Sequence, residues 1–140
     1  IDELIVYVDN TNDTTRKKQC YWQMIRTIKK NDNDPLLEAQ LYLKAVNLYD
    51  ENYKYLASLL NSFAWRMAEI GQLLPEALEK VNYALEIEDD LKILDTKAEV
   101  LWKLGRVDEA IEVINECIQG NPEYEHYQNQ KAKFLATKSL

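Results

Sequence analysis

Two stretches decide the fold of this chain, LNSFAWRMAEIG at residues 60–71 and LDTKAEVLWKLG at residues 94–105. Five positions keep step at a constant offset of 34 residues, and the aligned residues are Leu60, Phe63, Ala64, Met67 and Gly71 with Leu94, Lys97, Ala98, Leu101 and Gly105. Apolar side chains recur in each at intervals of three and four, which is the period of a helix with one buried face. The closing glycines, Gly71 and Gly105, can adopt the left-handed conformation that ends a helix at little steric cost. The stretches therefore predict two equivalent helices, each followed by a tight turn.

The residues that follow each glycine repeat as well, as PEALEKVNYALEI at 75–87 and DEAIEVINECI at 108–118. Their offset is 33 residues, because the turn GQLLPEA is one residue longer than the turn GRVDEA, and insertions are best tolerated in turns. Pro75 suits the first turn of a helix, while Asp108 and Glu109 place negative charge at a helix N-terminus. Each repeat is therefore predicted to be a helix, a turn and a second helix that runs back along the first.

Residues 11–56 are predicted to form a degenerate helix pair ahead of these repeats. The dipeptide Asp34-Pro35 marks a helix start, and we expect that helix to run to about Tyr49. Apolar residues at helical spacing predict an earlier helix over residues 14–30.

The two ends of the chain are predicted separately. Residues 1–10 form a leader segment whose apolar residues fit either a short helix or a strand, and we favour the helix. Residues 125–140 predict a lone helix that caps the repeats, and a polar outer surface is typical of such a cap. The polar side chains expected on that surface are Gln128, Gln130, Lys131 and Lys133.

Composition indicates one all-α domain over residues 1–140. Only three glycines and three prolines interrupt a chain that is 46% hydrophobic, which favours long helices over a turn-rich β architecture. The net charge is −7, and residues 61–125 carry fifteen acidic groups against six basic ones. An acidic surface repels phosphate, so we expect no nucleic-acid partner. No apolar run approaches the roughly 20 residues that cross a bilayer, so we expect no membrane insertion.

The compartment and the two cysteines are less determined by the sequence. Because the chain begins at Ile1 rather than Met, we expect a fragment of a longer protein or a processed product, soluble in either the cytoplasm or the periplasm. Cys117 falls in an apolar helical stripe and is predicted to be a core residue. The role of Cys20, and a disulfide between the two, are left open.

The repeats resemble tetratricopeptide repeats, whose 34-residue unit carries the pattern W-x2-L-G-x2-Y, then A-x3-F, then P. The resemblance covers residues 57–90 and 91–124, with Ala77 and Ala110 at the small position and Pro122 at the closing proline. The departures are Leu60 and Leu94 for the tryptophan, Lys97 for a leucine, and Asp89 for the proline of the first unit. The resemblance implies antiparallel helix-turn-helix repeats stacked as a short right-handed solenoid with a capping helix, and a role in binding other proteins.

The same phrases are similar to tetratricopeptide tails that follow other domains, including thioredoxin-like ones, in bacterial proteins. That resemblance implies that residues 1–10 are the exit from a preceding domain.

In tetratricopeptide stacks the first helix of each pair lines a concave groove. The resemblance implies that the groove-lining, partner-binding residues here are Asn61, Trp65, Asp95, Glu99, Trp102, Asn129 and Lys133. Such a groove would be acidic and would offer two tryptophans as anchors, so we expect a protein or peptide partner of basic or apolar character. Two alternatives remain. The tryptophans pack between adjacent helices, or the domain has a structural role, in which it packs against a neighbouring domain of a longer protein or dimerises through the tyrosines Tyr42, Tyr49, Tyr53 and Tyr55.

The sequence offers little to an enzyme. His126, the only histidine, stands between Glu125 and Tyr127 in the terminal helix, where we expect a solvated surface side chain. No glycine-rich phosphate loop and no metal-ligand spacing occurs, so we expect no catalytic residues, no metal and no cofactor.

Overall fold

The structure, a computed structural model, describes residues 1–31 and 34–139. The regular elements in this part of the chain are helices. In chain order they are α1 (Asp2–Asp9), α2 (Thr14–Asn31), α3 (Pro35–Val46), α4 (Leu56–Ile70), α5 (Leu74–Ile87), α6 (Leu91–Lys103), α7 (Val107–Gly120) and α8 (Glu125–Lys138). No strand occurs among the described residues, so the prediction of an all-α fold is confirmed for them. The predicted pair over 11–56 and the predicted cap over 125–140 include positions 32, 33 and 140, which lie outside the described residues.

Contacts between helices divide the chain into two units, Ile1–Lys54 and Tyr55–Leu140. The first unit holds the predicted leader and degenerate pair, and the second holds both repeats and the terminal helix. The second unit begins two residues before residue 57, where the first repeat is predicted to start.

In the first unit, α2 packs against both α1 and α3. The helix predicted for the leader is confirmed as α1. The third helix begins at Pro35 because the Asp34 carboxylate accepts a hydrogen bond from the N–H of Leu37 at 3.0 Å, and it ends at Val46 rather than at Tyr49. The core of this unit consists of Val8, Tyr21, Met24, Ile25, Ile28, Leu41 and Ala45.

A polar cluster around Asp9 ties α1 to the other two helices of this unit. Its carboxylate accepts a short hydrogen bond from the Tyr21 hydroxyl of α2 and lies 3.0 Å from the Lys44 ammonium of α3. The hydrogen bond from Tyr21 and the nearby Lys44 lower the pKa of Asp9. Burial and the same carboxylate raise the pKa of Tyr21, so its hydroxyl stays a donor.

In the second unit, the two predicted glycine turns are confirmed. Gly71 has φ 67° and Gly105 has φ 81°, both in the left-handed region. In each turn the residue after the glycine donates its N–H back into the helix, from Gln72 to Met67 at 3.1 Å and from Arg106 to Leu101 at 2.9 Å. The turn after Gly71 holds the extra residue.

That longer turn carries a conformation that the shorter one lacks. Leu73 has φ 48°, the only positive φ of a non-glycine residue among the described ones. It precedes α5, whose second residue is Pro75, as predicted from the sequence.

The helices of the second unit pack in a regular order. The first helices of the two pairs, α4 and α6, pack against each other as well as against their own partners α5 and α7. The terminal helix α8 packs on α7 and contacts α6. Side chains from α6, α7 and α8 form a shared core of Ala98, Leu101, Ala110, Ile114, Cys117, Tyr127 and Phe134.

Both cysteines are free. Cys117 is fully buried in this core, as predicted, and burial raises the pKa of its thiol to about 12. Cys20 is half-buried on α2.

Candidate protein-interaction surface

The seven side chains that the sequence assigns to a groove lie on three helices of the second unit. They are Asn61 and Trp65 on α4, Asp95, Glu99 and Trp102 on α6, and Asn129 and Lys133 on α8. Direct contacts join Glu99 and Trp102 to Lys133, while Asp95 is bound by His126 and Gln130 of the same helix α8. Among the described residues, no hydrogen bond joins the other three to this set.

Asp95 is held by two side chains of α8. Its Oδ2 lies 2.8 Å from Nε2 of His126, and its Oδ1 accepts a hydrogen bond from the Gln130 amide at 3.0 Å. Only 7% of Asp95 and 4% of Gln130 are exposed to solvent. Both oxygens of this carboxylate are therefore already bound within the chain.

Glu99, one helical turn further along α6, is held in the same way. The Lys133 ammonium lies 2.6 Å from its Oε1 and 3.0 Å from its Oε2, and the Gln130 amide is 3.4 Å from Oε1. The residue is 7% exposed. A buried carboxylate is expensive unless it is paired, and here an ammonium and an amide share the pairing.

Trp102 completes the contact between the two helices. Its ring lies 4.4 Å from the Lys133 ammonium and packs on the ring of Phe134 at 5.7 Å. Its indole N–H donates to the Thr137 hydroxyl at 2.9 Å. The ring therefore has apolar, cationic and hydrogen-bonding partners within the chain.

These contacts form one continuous polar seam, a name we use for the paired faces of α6 and α8. On α6 its residues are Asp95, Glu99 and Trp102, and on α8 they are His126, Gln130, Lys133 and Thr137. The spacings of four and three match on both helices, so each residue meets its partner one turn after the previous pair. The seam covers Asp95 and Glu99, the acidic side chains that the sequence pattern predicted to face a ligand.

Two expectations for α8 are wrong. His126 is half-buried and bound to Asp95, where a solvated side chain was expected. Gln130 and Lys133 turn towards α6, whereas the cap was expected to show both to water. The physical reason is that α6 buries two carboxylates, which need cations and amide donors from the neighbouring helix.

Asn61 and Trp65 lie at the positions of α4 that correspond to Asp95 and Glu99 in the repeat. The side-chain oxygen of Asn61 is buried and has no hydrogen-bond partner among the described residues. Trp65 is half-buried and Asn129 is exposed. Asn61 and Trp65 on α4 are therefore not part of the polar seam that holds Asp95 and Glu99 on α6.

Sequence reasoning missed His126, Gln130 and Thr137 as members of this surface. A usable signal was present, since the 4, 3 spacing of acid, acid and tryptophan in α6 recurs as histidine, glutamine and lysine in α8.

The tyrosines expected to support dimerisation also have partners within the first unit. Tyr49 accepts a hydrogen bond from the Trp22 indole at 2.9 Å and stacks against Tyr53, while Tyr42 meets the Trp22 ring edge-on. Tyr55, the first residue of the second unit, is 58% exposed.

Two kinds of site are absent within residues 1–31 and 34–139. No group of three or more histidine, cysteine, aspartate or glutamate side chains is arranged to hold a metal ion. No helix there is long and apolar enough to cross a lipid bilayer.

Comparison of the chain with protein-family models, with curated proteins and with solved structures gave no match.

Proposed function

We propose that residues 55–139 form a tetratricopeptide-like right-handed stack of two helix pairs closed by α8, and that this stack binds another protein. The observation that carries the fold proposal is the agreement of the sequence repeat with the helix pairs. The second helices α5 and α7 begin and end at equivalent residues, the first helices α4 and α6 do so to within one residue at each end, and a left-handed glycine follows each first helix. The neighbouring first helices α4 and α6 fit such a stack.

The polar seam narrows the chemistry of the proposed partner. Because Asp95 and Glu99 are bound to α8, they are not free to attract a basic ligand. The remaining surface offers the half-buried ring of Trp65, and the side-chain oxygen of Asn61 lies buried on the same helix. We therefore propose an apolar peptide segment that is anchored on Trp65 and packs over the neighbouring Asn61.

Peptides selected against the full chain from a random display library provide the test. Trp65→Ala is expected to weaken their binding at least about tenfold, as expected when a central aromatic anchor is removed. The matched control is Tyr83→Ala, which removes an exposed aromatic ring from α5. Selected peptides that bind Trp65→Ala and Asn61→Ala as tightly as the original chain would contradict the proposed site.

A further inference from the structure

A second surface lies in the first unit, on α2. This helix carries six basic residues and no acidic one, in a chain whose net charge is −7. Five of its exposed residues follow one another at intervals of three and four, namely Arg16, Gln19, Gln23, Arg26 and Lys30. We call this line the α2 ridge. It is a straight row of cations and amides along one helix face.

The cations of the α2 ridge are available to a partner. Within the described residues, none of Arg16, Arg26 and Lys30 forms an ion pair, and Arg26 only contacts the neighbouring Gln23 side chain at 3.3 Å. Lys18, by contrast, lies over the Tyr49 ring at 4.2 Å. The three cations of the ridge are therefore not paired within the described part of the first unit.

An apolar hollow runs beside the ridge. It measures about 290 Å³, and its lining consists of Leu4 from α1 with Gln19, Cys20, Gln23 and Met24 from α2. Two ridge residues, Gln19 and Gln23, form its edge, so cationic and apolar contacts are offered side by side. Leu4 is 48% exposed, as expected of a side chain that is only partly covered by its own unit.

We propose that the α2 ridge and the adjoining hollow bind an acidic, amphipathic helical segment of a partner protein. Glutamate or aspartate side chains one turn apart would meet Arg26 and Lys30, and one large apolar side chain would enter the hollow next to Cys20. The positive charge of the ridge favours a partner segment of negative charge, and the hollow favours a segment that carries an apolar side chain.

The spacing of the cations favours an acidic helix over a nucleic acid. The ridge spans about 21 Å at 1.5 Å per residue and presents three cations in that length. A DNA duplex of the same length carries about twelve phosphates, most of which would stay unpaired next to a chain of net charge −7. An acidic helix can place two carboxylates one turn apart against Arg26 and Lys30, so far fewer of its charges would stay unpaired.

The test uses the full chain and a synthetic helical peptide with glutamates at i, i+4 and i+7 and one phenylalanine between them. Binding is expected at low salt and is expected to fall as salt rises, because exposed charges are screened. Arg26→Glu/Lys30→Glu is expected to weaken it about tenfold, because two attractive contacts become repulsive. The matched control, Lys92→Glu/Lys103→Glu, changes the same net charge on exposed residues of α6 and is expected to bind like the original chain.

The alkylation rate of the Cys20 thiol reports whether the hollow is occupied. Cys117 is buried and the pKa of its thiol is raised to about 12, so iodoacetamide at neutral pH is expected to react with Cys20 first. The bound peptide is expected to slow that reaction, and a peptide with alanine in place of phenylalanine is not.

Four results would each overturn the proposal. They are no peptide binding at low salt, equal loss in the control variant, an unchanged alkylation rate of Cys20 with peptide bound, and tighter binding of a DNA duplex than of the peptide.

Discussion

Asp9 of α1 contacts side chains of both other helices of the first unit. Its carboxylate contacts Tyr21 and Lys44, and it is the only acidic group of α1 with such contacts among the described residues. Asp9→Asn is expected to lower the free energy of unfolding by about 1 kcal/mol, less than a fully buried charged hydrogen bond because the site is partly exposed. Urea unfolding followed by circular dichroism measures this, with the exposed Asp2→Asn as the control.

The contribution of Asp9 also depends on pH. Because the fold lowers its pKa, the stabilisation is present above the unfolded pKa of about 3.9 and is lost as the pH falls through the folded value. The stability difference between the original chain and Asp9→Asn is therefore expected to be full at pH 7 and to vanish in acid. A difference that stays constant down to pH 2 would show that the carboxylate charge is not responsible.

The positive φ of Gly105 is expected to lower the stability of the fold when any other residue stands at this position. A Cβ there would meet nothing within 4 Å, so a side chain is opposed only by the φ of 81°. Gly105→Ala is expected to cost about 1 kcal/mol, and Gly105→Asn less, because asparagine tolerates the left-handed region better. Thermal unfolding of the two variants gives the comparison, and equal stability of Ala and Gly would contradict it.

Individual residues were predictable from the sequence where one local rule determines them. Gly71 and Gly105 end helices, and Cys117 belongs to an apolar stripe, so pattern alone identified them. The partners of Asp95 were not predictable in this way. In the sequence, a carboxylate that lines a groove cannot be told from one that is buried against a neighbouring helix. The difference depends on the histidine and the glutamine that face Asp95 in the structure, which lie 31 and 35 residues away in the chain.

At the scale of elements, α8 depends on the polar seam for its position. Lys133→Ala is expected to cost about 2 kcal/mol, because it leaves Glu99 mostly buried without its cation, although part of Lys133 is open to water. The control is Lys131→Ala on the same helix, which forms no ion pair among the described residues and is expected to change stability by less than about 0.5 kcal/mol. Chemical unfolding measures both, and equal effects would show that the seam does not stabilise α8.

Helix bounds were predictable for elements with strong periodicity or explicit start signals, as at Asp34 and Pro35. The buried face of α8 was harder to predict from the sequence, because polar residues occur on every side of this helix and its apolar residues do not mark one face clearly. Its buried face consists of Tyr127, Gln130 and Phe134, in which a glutamine stands between two aromatic rings. Hydrophobic periodicity cannot identify a face that is held by hydrogen bonds.

At the scale of the whole molecule, each unit has its own core, which predicts independent folding. A fragment of residues 55–140 is expected to be helical and to unfold cooperatively, since the α6 to α8 core lies entirely within it. Circular dichroism and thermal unfolding of the fragment test this. A fragment that is disordered at 25 °C would show that the second unit requires residues 1–54.

The repeat predicted the organisation of the second unit well, because a period of 34 residues ties two helix pairs to one pattern. The first unit has no such internal copy. Its α1 could be assigned only as a helix or a strand, and the contacts that fix it run through Asp9, whose partners lie 12 and 35 residues away.

The polar seam also fixes the register of α8 against α6. If α8 slid by one helical turn, about 5.4 Å, Lys133 would reach Asp95 while Glu99 lost its cation in a buried position. An apolar contact of the same size would tolerate such a slip far better. A helix pair inserted between α7 and α8 would thus need to bring its own acid, acid and tryptophan at spacings of four and three. Paired side chains therefore set the axial position of α8, in addition to the loop that precedes it.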